Sequence, residues 1–314
     1  MTTAPGSQAL SSEAAEREAC VLTAWAKVNL YLHVVGRRAD GYHELDSLIV
    51  FAGVGDRIVL SPADTLSLTI DGPFGGGLPA TDENLVLRTA RALQTQMGVR
   101  EGAHIHLTKT LPLAAGIGGG SADAAATLRG LVTLWRLAPE AGRLEALAAA
   151  LGADVPVCLF GQPALVAGIG ERIERAPPLP PAWLVLANPG IALSTPAVFA
   201  ARQGPFSAPS AWREVDRDAA ALAAHLATTA NDLEAPARSL VPEIGGLLDD
   251  LADQPGCLLA RMSGSGATCF GLFGGREAAE QAAAALTRER PSQWIVAAPL
   301  LHGRIERVWW NGEN

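Results

Sequence analysis

Leu111-Pro-Leu-Ala-Ala-Gly-Ile-Gly-Gly-Gly-Ser-Ala-Asp-Ala-Ala125 is the densest signal in the 314-residue chain. The apolar pattern of His104 to Thr110 predicts a strand that stops at Pro112. Glycines follow, and the helix formers from Ala124 to Leu137 predict a helix that opens near Ser121. Glycines let backbone N–H groups converge on an oxyanion without Cβ obstruction, and a helix N-terminus adds partial positive charge. Strand, glycines and helix together read as a phosphate cradle. No Gly-Lys-Ser/Thr follows, which excludes a Walker A loop, and no acidic residue closes a second strand of a βαβ unit downstream. A plain glycine turn is the alternative reading.

Upstream of this segment, Leu22 to Val35 reads as a strand, Gly36 to Gly41 as a turn, and Arg57–Leu60 and Leu66–Ile70 as strands. Gly72 to Pro79 is a loop, after which Thr81 or Asp82 is expected to cap a helix over Glu83 to Met97. Downstream, Glu140 to Leu151 predicts a helix stopped by Gly152, and Leu165 to Ile173 a strand. The proline-rich Ala176 to Ala182 is the expected domain boundary, dividing residues 21–176 from 183–314 behind a floppy tail over 1–20. The second half is expected to hold a strand at Trp183–Ala187, helices between Pro196 and Asp253, a strand–glycine–strand unit at Gly264, a helix over Glu277–Arg288 and terminal strands. Without a regular βαβ rhythm, the expected class is α+β.

Asp+Glu outnumber Lys+Arg 32 to 24, for a net charge of −8, so the chain carries no basic footprint for nucleic acid. Hydrophobic residues at 49% against 18% charged exclude a disordered chain. The longest apolar run, Val155 to Gly170, is interrupted by Pro156, Gln162 and Pro163 and is too short to span a bilayer. The first twenty residues lack the basic start and apolar core of a signal peptide, and the four cysteines lack metal-like spacing, so free thiols and a cytoplasmic location are expected.

Several residues stand out on chemical grounds. Asp154, in Leu151-Gly-Ala-Asp-Val-Pro156, precedes an apolar run, where desolvation makes a carboxylate costly without a partner. Lys27, in the apolar strand Ala26-Lys-Val-Asn29, has the same need; a turn aspartate and a surface-edge lysine are the bland alternatives. Lys27 and Lys109 are the only lysines among the 24 Lys+Arg. Met262-Ser-Gly-Ser-Gly-Ala267 suits either a hairpin or a site lined by Ser263 and Ser265. His104 and His106 alternate on a strand without a third ligand, Arg37-Arg38 reads as a solvated turn, and Trp309-Trp310 as a packed terminal strand or a subunit contact.

Ala26-Lys-Val-Asn-Leu30 with Gly36-Arg-Arg-Ala-Asp-Gly-Tyr-His-Glu-Leu45 resembles the opening of the 4-diphosphocytidyl-2-C-methyl-D-erythritol kinase family, a branch of the GHMP kinases. The glycine loop, Gly152–Pro156, Asn188-Pro-Gly190, Ser194-Thr-Pro196, Asn231-Asp-Leu-Glu234 and Ser263–Ala267 resemble its later blocks in order, over about Val21 to Leu301. The resemblance implies a two-domain α+β fold with the active site between an N-terminal nucleotide-binding domain and a C-terminal domain. It implies ATP-dependent phosphorylation of the 2-hydroxyl of a cytidylated methylerythritol, with Mg²⁺, and a chain working as monomer or homodimer without nucleic acid or membrane.

Carried over by position, the resemblance makes Asp154 the general base and Lys27 its cationic neighbour. Pro112, Leu113, Ala114, Ala115, Gly116, Ile117, Gly118, Gly119, Gly120, Ser121 and Ala122 would hold the ATP phosphates. Lys109 matches a lysine near the nucleotide and Asn84 a position near adenine; Tyr42 and Phe199 match an aromatic pair sandwiching cytosine, with His43 reading its edge. Asn29, Asp40 and Thr195 match positions lining the substrate site. Two serines often close the family's loop; Ser121-Ala122 leaves only the Ser121 hydroxyl for a metal, and Ala114-Ala115 stands where some relatives have glycines. Another GHMP branch, or a non-catalytic nucleotide-binding homologue, is the competing reading.

Overall fold

Two long antiparallel strands, β1 (Cys20–Arg37) and β2 (His43–Ala63), carry the molecule. The computed structural model describes residues 19–210, 212 and 218–303, and the backbone of 309–310; the tail expected over 1–20 lies outside the described residues apart from Ala19 and Cys20. The start of β2 pairs with β5 (Ala164–Gly168), which turns back as β6 (Arg172–Arg175). Its end pairs with β4 (Gly102–Thr108), which pairs in parallel with β3 (Leu66–Asp71). Near its middle, β2 takes β10 (Trp294–Leu301), which leads on to β7 (Trp183–Asn188), β9 (Cys269–Phe273) and β8 (Cys257–Met262). β11 (Trp309–Trp310) lies along β1. One mixed sheet thus runs through both halves of the chain, and the architecture is α+β.

Helices α1 (Leu85–Met97), α2 (Gly119–Leu134), α3 (Arg143–Leu151) and α4 (Val155–Phe160) belong to the first half. Helices α5 (Thr195–Ala201), α6 (Ala219–Leu226), α7 (Glu234–Leu240), α8 (Glu243–Ala252) and α9 (Arg276–Glu289) belong to the second. Small residues let α2 lie close on the sheet: Ala124, Ala125 and Ala126 are fully buried, and a Cβ at Gly130 would sit 2.1 Å from Leu60 Cδ1. A second apolar layer packs α8 and α9 on β7 and β9 through Leu247, Leu251, Leu286 and Phe273. Each such leucine contributes about 2 kcal/mol when withdrawn from water. Cys20 and Cys158 are buried free thiols, and burial pushes each up to about 12, so both stay protonated. Among the described residues no helix is long and apolar enough to cross a membrane.

Several expectations shift. The strand expected at Arg57–Leu60 is the last part of the 21-residue β2, whose middle, Ser47 to Ala52, is buried on both faces and so lacks alternation. Asn84, rather than Thr81 or Asp82, caps α1: its Oδ1 accepts the Val86 N–H at 2.9 Å. Helix α2 begins at Gly119, two residues before Ser121. The apolar Val155–Phe160 is a short helix, and Leu165–Ile173 is a hairpin that reverses at Gly170, where φ is +111°. The proline-rich stretch joins β6 to β7.

Candidate active site

A cavity of about 1480 Å³ opens between the glycine loop, the start of β2, α4 and α5. That volume exceeds the few hundred to about 1,000 Å³ of a single-ligand pocket, so two ligands fit side by side. The two lysines lie beneath two consecutive glycines of the loop. A Cβ at Gly118, where φ is +62°, would stand 3.2 Å from Lys27 Cβ, and one at Gly119 would stand 3.2 Å from Lys109 Nζ. A side chain at Gly118 would press on the stem of Lys27, and one at Gly119 on the ammonium of Lys109. The loop therefore offers bare backbone at the N-terminus of the 16-residue α2, where orphan N–H groups and the helix dipole favour an anion.

Lys27 sits where β1 leaves its regular register. A bulge between Trp25 and Ala26 re-aims the strand, and the Lys27 N–H donates to Ile117 O at 3.0 Å, tying β1 to the loop. Its ammonium reaches Asp154 Oδ2 at 3.0 Å across 127 residues of chain. Lys27 is buried, whereas the Asp154 side chain, at the N-terminus of α4, is 44% exposed toward the cavity. An exposed carboxylate held by a buried ammonium keeps one oxygen for an incoming hydroxyl. The two residues read separately from the sequence meet here.

The unit around Gly264 buttresses the glycine loop as well as joining β8 to β9. Ser263 is buried beneath it, accepting the Asn29 N–H at 3.1 Å and donating to Gly116 O at 3.2 Å, while Thr268 N–H donates to Ala115 O at 3.1 Å. Asn231 Nδ2 donates to Met262 O at 2.7 Å and to Gly264 O at 2.9 Å, which explains the Asn231–Glu234 segment. Gly116, at φ +73°, has no room for a side chain: a Cβ would lie 2.6 Å from Gly266 O and 2.7 Å from Ser263 O. Gly116→Ala is expected to cost about 1–2 kcal/mol in backbone strain alone and to push the two loops apart. Thermal unfolding should show a lowered Tm, and titration should show an ATP affinity about tenfold weaker. A variant matching the wild type in both measurements would mean that the interlock is immaterial.

Of the remaining loop residues, Pro112, Leu113, Ala114, Ala115, Gly120 and Ser121 line the cavity, whereas Ile117 and Ala122 turn into the core. Ala114 holds φ +49°, a conformation that favours glycine, which gives physical meaning to the glycines some relatives carry there. Asn84 lines the cavity at the opposite wall. Lys109 is buried with its ammonium on Asp56 and, at 2.7 Å, on Asp123. Burial alone would pull this ammonium down, but the Asp123 and Asp56 carboxylates outweigh it and hold the lysine above its ordinary range. Asp56 escaped the sequence reading, although an aspartate inside an apolar strand carries the same desolvation signal as Asp154.

At the other end, Asp40 accepts the Tyr42 N–H at 3.1 Å and pairs with Arg38, as a turn residue does. His43 stacks on Phe199 with centroids 4.8 Å apart, while Tyr42 stands 63% exposed at the mouth. Thr195 Oγ1 meets Ser265 Oγ at 2.7 Å. Asn29 donates to Ser47 at 2.8 Å, and its Oδ1 is buried at the cavity wall without a hydrogen-bond partner. That lone acceptor asks for a donor from a ligand. His104 binds Ser67 and Thr69, and His106 binds Asp71, so both serve the β3–β4 pair. The side chains of Trp309 and Trp310 lie outside the described residues.

Comparison with known proteins gives consistent findings. The model of the GHMP kinases N terminal domain matches residues 84–162, and that of the GHMP kinases C terminal matches residues 210–292. A 4-diphosphocytidyl-2-C-methyl-D-erythritol kinase of Paramagnetospirillum magneticum is 56% identical over 276 residues, covering 88% of this chain and 96% of that protein. One of Rhodospirillum rubrum is 53% identical over 291 residues, covering 93% and 95%. A crystal structure of 4-(cytidine 5'-diphospho)-2C-methyl-D-erythritol kinase matches with a TM-score of 0.74 at 38% identity, covering 90% of this chain and all of the other. A homoserine kinase from Cytophaga hutchinsonii, at TM-score 0.68 and 18% identity over 97% and 98% of the two chains, shares the fold.

Proposed function

Because the chain belongs to the 4-diphosphocytidyl-2-C-methyl-D-erythritol kinase family of the GHMP kinases, we propose that it transfers the γ-phosphoryl group of ATP to the 2-hydroxyl of 4-diphosphocytidyl-2-C-methyl-D-erythritol, a step toward isoprenoid precursors by the non-mevalonate route. The observation that carries this reading is the Lys27–Asp154 pair, 3.0 Å apart, at a cavity walled on one side by the glycine loop. Phosphoryl transfer asks a protein for positioning and charge stabilisation more than for covalent chemistry. Asp154 takes the proton of the acceptor hydroxyl as its oxygen bonds to the γ-phosphorus and the bond to the β–γ bridging oxygen breaks, releasing ADP. The Lys27 ammonium orients the carboxylate and steadies the forming alkoxide. The glycine loop and the first turn of α2 hold the nucleotide phosphates, Asn84 faces the adenine, and Asn29 and Thr195 receive polar groups of the acceptor.

The donor set fits Mg²⁺. The Ser121 hydroxyl lines the cavity in the first turn of α2, and no cluster of acidic or imidazole ligands among the described residues would hold an ion by itself. A cation that keeps several waters and rides on the nucleotide's phosphates suits such a site, where it would neutralise charge on the transferred group. Purified protein with ATP, Mg²⁺ and the cytidylated substrate should release ADP. Turnover with homoserine or mevalonate instead would move the chain to another GHMP branch, and nucleotide binding without turnover on any acceptor would make it a non-catalytic homologue.

His43 makes a second, independent prediction. Burial first, and then the Arg37 and Arg202 guanidiniums, hold its ring below the ordinary histidine value, so it is neutral at pH 7. A neutral imidazole offers one donor and one acceptor, which complements the amino and ring-nitrogen edge of cytosine. For the base to stack on Phe199, His43 must leave the face it covers and turn its edge inward. Protonation replaces the acceptor by a second donor, so KM for the cytidylated substrate should stay level through the ordinary histidine range and rise only on the acid side of it. Arg202→Ala should move the onset to higher pH. A KM that does not rise anywhere down to the acid limit of the folded enzyme, with the same profile in Arg202→Ala, would remove His43 from base recognition.

A further inference from the structure

Asp56 uses both carboxylate oxygens on the two stems of the glycine loop. Its Oδ1 accepts the backbone N–H groups of Thr110 and Leu111, at 2.6 and 2.8 Å, where the chain enters the loop. Its Oδ2 receives the Lys109 ammonium, which also holds Asp123 at 2.7 Å on the first turns of α2, where the chain leaves it. Lys109, Asp56 and Asp123 are 2%, 0% and 3% exposed, so water screens none of these bonds. Gly119 rests directly on the Lys109 ammonium. The floor of the loop is therefore an ionic knot rather than apolar packing.

The resemblance places Lys109 near the nucleotide, yet its ammonium is already engaged by two carboxylates. We propose that Asp56 is a positioning residue for nucleotide binding, joining the two stems of the phosphate loop through Lys109 so that its N–H groups stand converged before ATP arrives. This rests on the reading of the loop as the ATP phosphate site. Two carboxylates share one ammonium, and the surplus falls on Asp123: its Oδ1 is buried without a hydrogen-bond partner. Burial pushes Asp123 up to about 7, with Lys109 opposing and Asp56 adding to the rise. Asp56 has a partner on each oxygen and is the fixed member of the knot. A preorganised loop binds without the entropic cost of ordering itself, so loss of the knot should appear in nucleotide affinity rather than in acceptor affinity.

The test measures ATP and the cytidylated substrate separately, by calorimetry and by KM, in wild type, Asp56→Asn and Asp56→Ala. Asparagine keeps the acceptor for the two N–H groups and loses the ion pair, so Kd for ATP should rise about tenfold, and about a hundredfold in alanine. KM for the acceptor should change by less than about twofold. A wild type that binds no ATP overturns the reading of the loop, and this proposal with it. A wild type that binds, with both variants binding as tightly or with both substrates weakened equally, overturns this proposal alone. If neither variant folds, hydrogen exchange on the nucleotide-free wild type decides. Slow exchange at Thr110 and Leu111 beside fast exchange at Gly118 to Gly120 supports the clamp, and fast exchange at Thr110 and Leu111 overturns it.

Discussion

Asp154→Asn is expected to lower kcat by about three orders of magnitude while ATP still binds with an affinity within about twofold of wild type. The amide keeps the shape of the side chain and one acceptor oxygen for the Lys27 ammonium, but it cannot take a proton from the acceptor hydroxyl. Because the Asp154 side chain is 44% exposed, water screens the altered pair, and the loss of stability should stay within about 1 kcal/mol. The variant therefore separates chemistry from folding. Rapid-quench measurement of phosphoryl transfer on enzyme saturated with both substrates checks the prediction; a kcat near wild type would assign the proton to another group.

Lys27→Arg is the next largest expected effect, a loss of about a hundredfold in kcat with the formal charge unchanged. The lysine stem runs beneath Gly118, whose Cβ, if present, would lie 3.4 Å from both Cδ and Cε of the lysine. A guanidinium is longer and planar, so it either lifts Gly118 or points past Asp154, and in each case the cation moves away from where the alkoxide forms. Lys27→Met, of similar length, removes the charge and leaves the loop in place. Comparison of the two variants separates charge from position: arginine close to methionine supports a positional requirement, and a fully active arginine variant shows that any cation at this point suffices.

Much of this was legible in the residues because local rules carried it. Glycines before a helix offer bare backbone, and a charged residue inside an apolar run is costly without a partner, which picked out Lys27 and Asp154 individually. The same desolvation rule applied to Asp56 would have found it, but no motif drew attention to Gly55-Asp-Arg57. The two-residue lead of α2 over Ser121 was hidden because Gly119 and Gly120 are poor helix formers by propensity; a Cβ at Gly119 would press on the Lys109 ammonium, while Gly120 faces open space. The middle of β2 was hidden because Ser47 to Ala52 is buried on both faces and shows no alternation.

The α+β class and the strand–glycine–helix order of Leu111–Ala125 follow from the sequence alone, since both depend on neighbours in the chain. Pairings that exist only once the sheet has closed do not. That Lys27 meets Asp154, that Lys109 is spent on Asp56 and Asp123 beneath Gly119, and that the Gly264 loop braces Gly116 were decided by the β1 bulge and by the sheet that brings β8 and β9 under the first half. The physical reason is that propensity acts within a few residues, whereas burial selects, among all charged side chains, those that can find an opposite charge once the sheet has closed.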